Sequence, residues 1–157
     1  MEYLIDFLPS ALPSSDPTTI VHGDIRPDNM LFNPSGSVAA VVDWELSTLG
    51  HPGTDLALLT TPYHTPREMP ILGGLMDSTQ EELKAEGIPS ELEFVTKYVD
   101  VTGDEELVGD MDYHLAFASF RMASILQGVY ARGEEGGKGR NDNDGGMHAL
   151  PPPRPPL

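Results

Sequence analysis

The 157-residue chain contains no cysteine. Disulfides, thiolate metal sites and a cysteine nucleophile are therefore outside its chemistry. Cations are scarce: 9 Lys and Arg stand against 25 Asp and Glu, a formal charge of -16. A surface this acidic repels phosphate backbones and anionic headgroups, which argues against nucleic-acid and membrane binding. It favours solubility and tolerates cationic small molecules or basic partners. No apolar run approaches the roughly eighteen residues of a membrane span. The opening M-E-Y-L-I-D-F-L is interrupted by Glu2 and Asp6 and has no basic stretch before it, so it lacks the form of a signal peptide. The expectation is a soluble, cytoplasmic protein. No internal repeat is present, and the length suits one domain with a moderate core.

Turn residues divide what is there. Residues 1–8 have the pattern of a helix end stopped by Pro9, and 9–19 (P-S-A-L-P-S-S-D-P-T-T) read as a loop. Two short apolar runs, 30–33 and 38–43, flank Pro34-Ser35-Gly36-Ser37, the signature of a β-hairpin. Residues 44–54 read as loop, and a helix starts near Asp55, capped by Thr54 or Asp55. Ser78–Glu81 and Ser90–Glu93 both fit a capping box, and the second opens a helix towards Val101 that stops near Gly103. Residues 112–132 carry Leu115, Ala118, Met122, Ile125, Leu126 and Val129 at helical spacing, a core stripe. From residue 133 a Gly/Asp-rich stretch and a terminal P-P-P-R-P-P-L lack apolar anchors and are expected to be a disordered tail. The proline-rich end has the composition of an SH3- or WW-type ligand or of a passive extension. G-G-K-G within the tail is not a phosphate loop, because the glycine and hydroxyl that such a loop needs are Arg132 and Gly139 here.

Polar chemistry concentrates in V-H-G-D-I-R-P-D-N-M-L-F, residues 21–32. Asn29 stands just before the first hairpin strand and Asp43 ends the second. Antiparallel pairing brings both to one end, with Asn29 across from Val42 or Asp43 and side chains within roughly 5 Å. An amide oxygen and a carboxylate are hard ligands suited to Mg²⁺. Asp24, five residues before Asn29, can face whatever the metal holds. His22-Gly23-Asp24, four intervening residues, Asn29 and then Asp43 after a hairpin match the protein-kinase order of catalytic base and metal ligands. Phosphoryl transfer needs little more from a protein than metal-held phosphate oxygens and an acceptor that aligns the attacking hydroxyl.

H-G-D-x-x-x-x-N followed by D-W-E resembles the aminoglycoside phosphotransferase/choline kinase superfamily. V-V-D-W-E-L-S-T-L-G-H-P-G-T-D-L-A, G-I-P-S-E-L-E-F and F-R-M-A-S-I-L-Q-G-V-Y-A-R are similar to its acyl-CoA-dehydrogenase-associated branch. The resemblance covers residues 1–132. It implies an α+β fold, the mostly helical large lobe of a protein-kinase-like protein, with a small hairpin carrying the catalytic loop. It also implies ATP as phosphoryl donor, Mg²⁺ as cofactor and a small-molecule hydroxyl as acceptor. Carried over by position, Asp24 is the catalytic base, Asn29 and Asp43 hold Mg²⁺, and His22 supports the catalytic-loop backbone. Glu45 and Asp55 match an acidic position near the metal end and a structural brace.

Plainer roles compete for several of these residues. Asp28, beside Pro27, reads as a turn residue, and His22 as a hydrogen-bonding support rather than a base. Arg26 suits an ion pair with a nearby acid as well as a phosphate contact. Trp44 reads as core packing. His51, His64, His114 and His148 show no metal-ligand spacing and default to surface or core roles, which also disfavours a two-metal hydrolase.

The kinase pattern also requires a glycine-rich cover and a strand lysine ahead of the catalytic loop. Here the loop begins at residue 22, and Lys84, Lys97 and Lys138 all follow it. The expectation is the later part of a large lobe without its small lobe, whether a truncated product, a split subunit or a degenerate relative. Its partners would be the missing lobe or an acyl-CoA-dehydrogenase-type domain. The alternative is a non-catalytic kinase-like interaction module.

Overall fold

The computed structural model describes residues 2–13, 15–69 and 73–137, with side chains to residue 132. Helix α1 (Glu2–Ser10) runs through Pro9 rather than stopping before it. In the last turn the ring's missing N–H removes one bond only, and the Ser10 hydroxyl donates to Phe7 O at 2.7 Å.

The expected hairpin is present. Strand β2 (Met30–Phe32) pairs antiparallel with β3 (Val38–Val41), Met30 opposite Val41 and Leu31 opposite Ala40, with an irregularity between Leu31 and Phe32. Asn33 forms the turn: its Oδ1 accepts the N–H groups of Ser35 at 3.0 Å and Ser37 at 3.1 Å. Gly36 supplies the left-handed residue, at φ 84.

A second pair was not legible. Strand β1 (Thr19–Val21) pairs with β4 (Thr48–Gly50), inside the stretch expected to be loop. Strands of three residues are too short for an alternating pattern to emerge. Their pairing closes the segment that contains residues 22–29 and the hairpin.

Helix α2 (Gly53–Thr60) begins before Asp55 and has no side-chain cap. Thr54 donates instead to His51 O at 2.8 Å, and the Asp55 carboxylate is engaged elsewhere. Helix α3 (Gln80–Ala85) opens with a capping box of Thr79 and Glu82, one residue later than the sequence pattern suggested. Consecutive hydroxyls followed by consecutive glutamates offer two registers, and the second one forms. Helix α4 (Glu91–Thr102) has the expected Ser90–Glu93 box and ends at Gly103, φ 74. Accepting backbone N–H bonds at these boxes holds the Glu82 and Glu93 carboxyls below their ordinary range.

Helix α5 (Glu106–Gly137) exceeds the expected 112–132 at both ends. The chain divides into two units, 1–120 and 121–157. In the first, Leu56 of α2, Val95 of α4 and Leu107 and Met111 of α5 form the core, with Phe94, Tyr98 and Leu115 packed against it. The buried face of α5 is thus Leu107, Met111, His114 and Ala118, not the full stripe expected from the sequence. In the second unit no side chain up to residue 132 is buried, and Ile125 and Val129 are half exposed. An apolar period marks what favours burial; a covering element must also be there. Residues 133–137 continue the helix, and 138–157, with the proline-rich end, G-G-K-G's lysine and His148, lie outside the described residues.

Candidate active site

The register of the hairpin fixes the site. Asn29 closes a short 3₁₀ turn, Pro27–Asn29, and its carbonyl accepts the N–H of Val42 at 2.9 Å. Asp43 therefore follows directly on the residue opposite Asn29. The Asn29 amide donates through Nδ2 to Asp24 O at 2.8 Å and to Asp24 Oδ2 at 3.2 Å. With the nitrogen committed to Asp24, the amide oxygen Oδ1 is the free acceptor of the group. Asp24 and Asn29 are half-buried, and Asp43 is exposed.

Asp43 adopts the left-handed conformation, φ 67 and ψ 50, unique among the described non-glycine residues. Such a residue costs about 1 kcal/mol relative to the right-handed region, least for Asp and Asn. It turns the chain out of β3 and into the 3₁₀ turn Trp44–Leu46, with Glu45 exposed just beyond.

His22 is buried and organises the loop. Its Nδ1 accepts the Asp24 N–H at 3.2 Å, which puts the ring proton on Nε2, where it donates to Val42 O at 2.8 Å. One imidazole thus ties the catalytic-loop backbone to the strand end that precedes Asp43. Both ring nitrogens are committed to backbone groups.

Asp55 fixes the other side. Its Oδ2 accepts the His22 N–H at 2.6 Å and its Oδ1 the Gly23 N–H at 2.9 Å. A carboxylate on two adjacent amides is a strong, charge-assisted clamp. Gly23 has φ 79, and a Cβ there would lie 2.6 Å from Leu46 O, so no other residue fits without moving the turn.

Arg26 pairs with Asp28, Nε donating to Oδ2 at 2.9 Å, and both are exposed. Trp44 is not core: it is 48% exposed, with its Nε1–H on Val41 O at 2.8 Å and its ring 4.7 Å from that of His22. Placed after a strand end, the indole covers the imidazole edge and keeps its other side in solvent. His64 bonds Glu91 at 2.7 Å, a surface pair. His51 and His114 were unremarkable in sequence, 63 positions apart, yet their rings meet at 4.3 Å.

Among the described residues no three His, Asp or Glu side chains form a metal cage by themselves. Asn29 Oδ1 and the Asp43 carboxylate are two hard oxygens at one hairpin end. That donor set fits Mg²⁺, which commonly takes one or two protein oxygens and fills its shell with water and phosphate.

A helical lobe with a hairpin that carries Asn29, bonded to Asp24, before its first strand and Asp43 after its second has the arrangement of a kinase-like phosphotransferase fold. The chain belongs to the phosphotransferase enzyme family, whose model matches residues 1–90. It is 44% identical over 133 residues to acyl-CoA dehydrogenase family member 10 of Mus musculus, covering 84% of this chain and 12% of that protein. It is 40% identical over 134 residues to family member 11 of Homo sapiens, covering 84% of this chain and 16% of that protein. A crystal structure from Ralstonia eutropha, provisionally described as an aminoglycoside phosphotransferase, superposes with a TM-score of 0.75 at 40% identity. That match covers 86% of this chain and 40% of the other. The chain thus spans a small part of these dehydrogenase-family relatives and under half of the solved structure. Among the described residues no helix is long and apolar enough to cross a membrane.

Proposed function

We propose that this site belongs to an ATP- and Mg²⁺-dependent phosphotransferase that acts on the hydroxyl of a small molecule. The bond network joining Asp24, Asn29 and Val42 carries the reading, because it brings the base and both metal-ligand positions to one hairpin end. Asp24 Oδ1 or Oδ2 accepts a hydrogen bond from the acceptor hydroxyl, aligns its oxygen and takes its proton as the new P–O bond forms and the bond from the γ-phosphorus to the bridging oxygen breaks, ADP leaving with that electron pair. Asn29 Oδ1 and Asp43 would hold Mg²⁺, which when bound neutralises charge on the phosphate oxygens. Asp55 and His22 keep Asp24 in place from behind, while Arg26 and Glu45 line the exposed approach.

The chain covers 40% of the solved structure on which it superposes. A cleft with one wall buries too little of a nucleotide. These 157 residues alone are expected to bind Mg-ATP weakly and not to turn over. An acyl-CoA-dehydrogenase-type domain is the companion we expect, a reading supported by the names of the relatives. Calorimetry of ATP binding with and without Mg²⁺ tests this, beside a phosphorylation assay over a panel of small alcohols. Weak binding that needs Mg²⁺ and disappears in Asp43→Asn is expected, with no product. Binding indifferent to both Mg²⁺ and Asp43→Asn overturns the metal assignment, and robust turnover abolished by Asp24→Asn overturns the expectation that these residues alone do not turn over.

A second reading, a non-catalytic interaction module, draws on the exposed Ile20, Phe32 and Leu49 of the two strand pairs and on Trp44 of the turn between β3 and β4. Retained activity of the assembled enzyme after Asp24→Asn would favour it.

A further inference from the structure

Away from the site, four buried side-chain atoms find no hydrogen-bonding partner among the described residues: His51 Nε2, Asp110 Oδ2 and both ring nitrogens of His114. His114 is 1% exposed. Its ring lies 4.3 Å from that of His51, the planes at 33°, and Tyr113 meets it edge-on at 5.4 Å. Gly53, the first residue of α2, is pressed against the same imidazole. A Cβ on Gly53 would come within 2.7 Å of Leu107 Cδ1 and nearer still to the His114 ring. The Gly53 N–H donates to His51 Nδ1 at 3.0 Å, which leaves the His51 proton on Nε2. Two residues on, Asp55 holds the His22 and Gly23 amides at 2.6 and 2.9 Å. A continuous series of contacts thus leads from His114 through His51, Gly53 and Asp55 to the catalytic loop.

His114 is buried beside Leu107 with the half-buried His51 ring tilted against it, and a proton on His114 brings an ion into an apolar setting. Burial, then His51, push His114 down to about 4, against the opposing pull of Asp110. The other titratable groups packed here are Tyr113 on α5, Tyr98 on α4 against the same core, and Asp55 on α2, already bound to the loop.

We infer that the His51–His114 pair is an acid-sensitive latch on the catalytic loop. Neutral, it seats the first turn of α2 and so keeps Asp55 on the His22 and Gly23 amides. Protonated, it expands that contact, the turn lifts from α5, and the loop loses its anchor before the core opens. The latch concerns loop geometry and stands whether or not the loop transfers phosphate.

The test is amide hydrogen exchange of the chain by NMR between pH 7 and pH 4.5, corrected for intrinsic exchange. Protection at His22 and Gly23 is expected to fall by about tenfold or more and to be lost at a pH where Val95 and Leu107 remain protected. In His114→Gln the loop amides should keep their protection across the range. If that variant does not fold, His114→Phe, which cannot take up a proton, provides the same comparison. Unchanged loop protection in the natural chain, loss of loop and core together, or an equal fall in the His114 variant overturns the latch.

Discussion

The strand-bearing part of the molecule and its helical part are held by different forces. Between Thr19 and Gly50 only Val21, His22 and Gly23 are buried. Ile20 and Leu49, on paired strands, are 73% and 70% exposed. Order in this region comes from directional polar bonds: Asn29 on Asp24, His22 on Val42, and Asp55 on the loop amides. In the helical part, Leu56, Val95, Leu107 and Met111 bury one another, and polar bonds mainly finish helix ends. Asp55 belongs to both parts, with its backbone in α2 beside the core and its carboxylate on the catalytic loop. The site is therefore a polar framework tied to an apolar core through the Asp55 carboxylate.

If the two parts are held so differently, perturbing each should give different signatures. The largest effect is expected from Leu107→Ala, which opens a cavity in the core and should cost about 3.5 kcal/mol. Chemical denaturation should show loop and helices unfolding together. Acidification comes next. His114 is lowered to about 4 in the folded chain from 6.5, so the unfolded chain binds more protons between those values. Its contribution is complete above about pH 6.5 and is lost as pH falls towards 4, where the loss reaches about 3 kcal/mol. Stability against pH should flatten over that window in His114→Gln.

Asp55→Asn replaces a charged double acceptor with one amide oxygen and should cost about 2 kcal/mol. Its mark is locality, with exchange rising at His22 and Gly23 and little change in the core. Ser90→Ala removes one side of the α4 capping box and should cost about 1 kcal/mol, read as a lower thermal midpoint with the site untouched. Ile20→Ser, on an exposed strand, should stay within about 0.5 kcal/mol. A larger loss there would mean that the strand pairs are held by apolar contact after all, and the contrast between the two parts would fail.

Legibility followed the same division. Asp24, Asn29 and Asp43 could be placed because a short loop and a tight hairpin turn sequence intervals into distances. The Ser90 box and the Gly103 stop are likewise local chemistry. Thr19–Val21 and Thr48–Gly50 pair across nearly thirty residues with three residues each, and nothing local announces that. Helix α5 misled for another reason: Ile125 and Val129 extend the apolar period, but burial ends with Ala118 in the first unit. Trp44 read as core because tryptophan usually is, whereas here it shields one ring and faces water. The meeting of His51 and His114 depends on how α5 crosses the start of α2, which no spacing encodes.

The central claim, that one hairpin end gathers a base and two metal-binding oxygens, is open to one direct measurement. Mn²⁺ titrated into isotope-labelled protein broadens amide signals near wherever it binds. Broadening should appear first at Asp24, Asn29, Val42 and Asp43 and vanish in Asp43→Asn, which keeps the left-handed residue tolerable and the fold intact. Broadening that starts at other acids of this -16 chain, and persists unchanged in Asp43→Asn, would contradict the account.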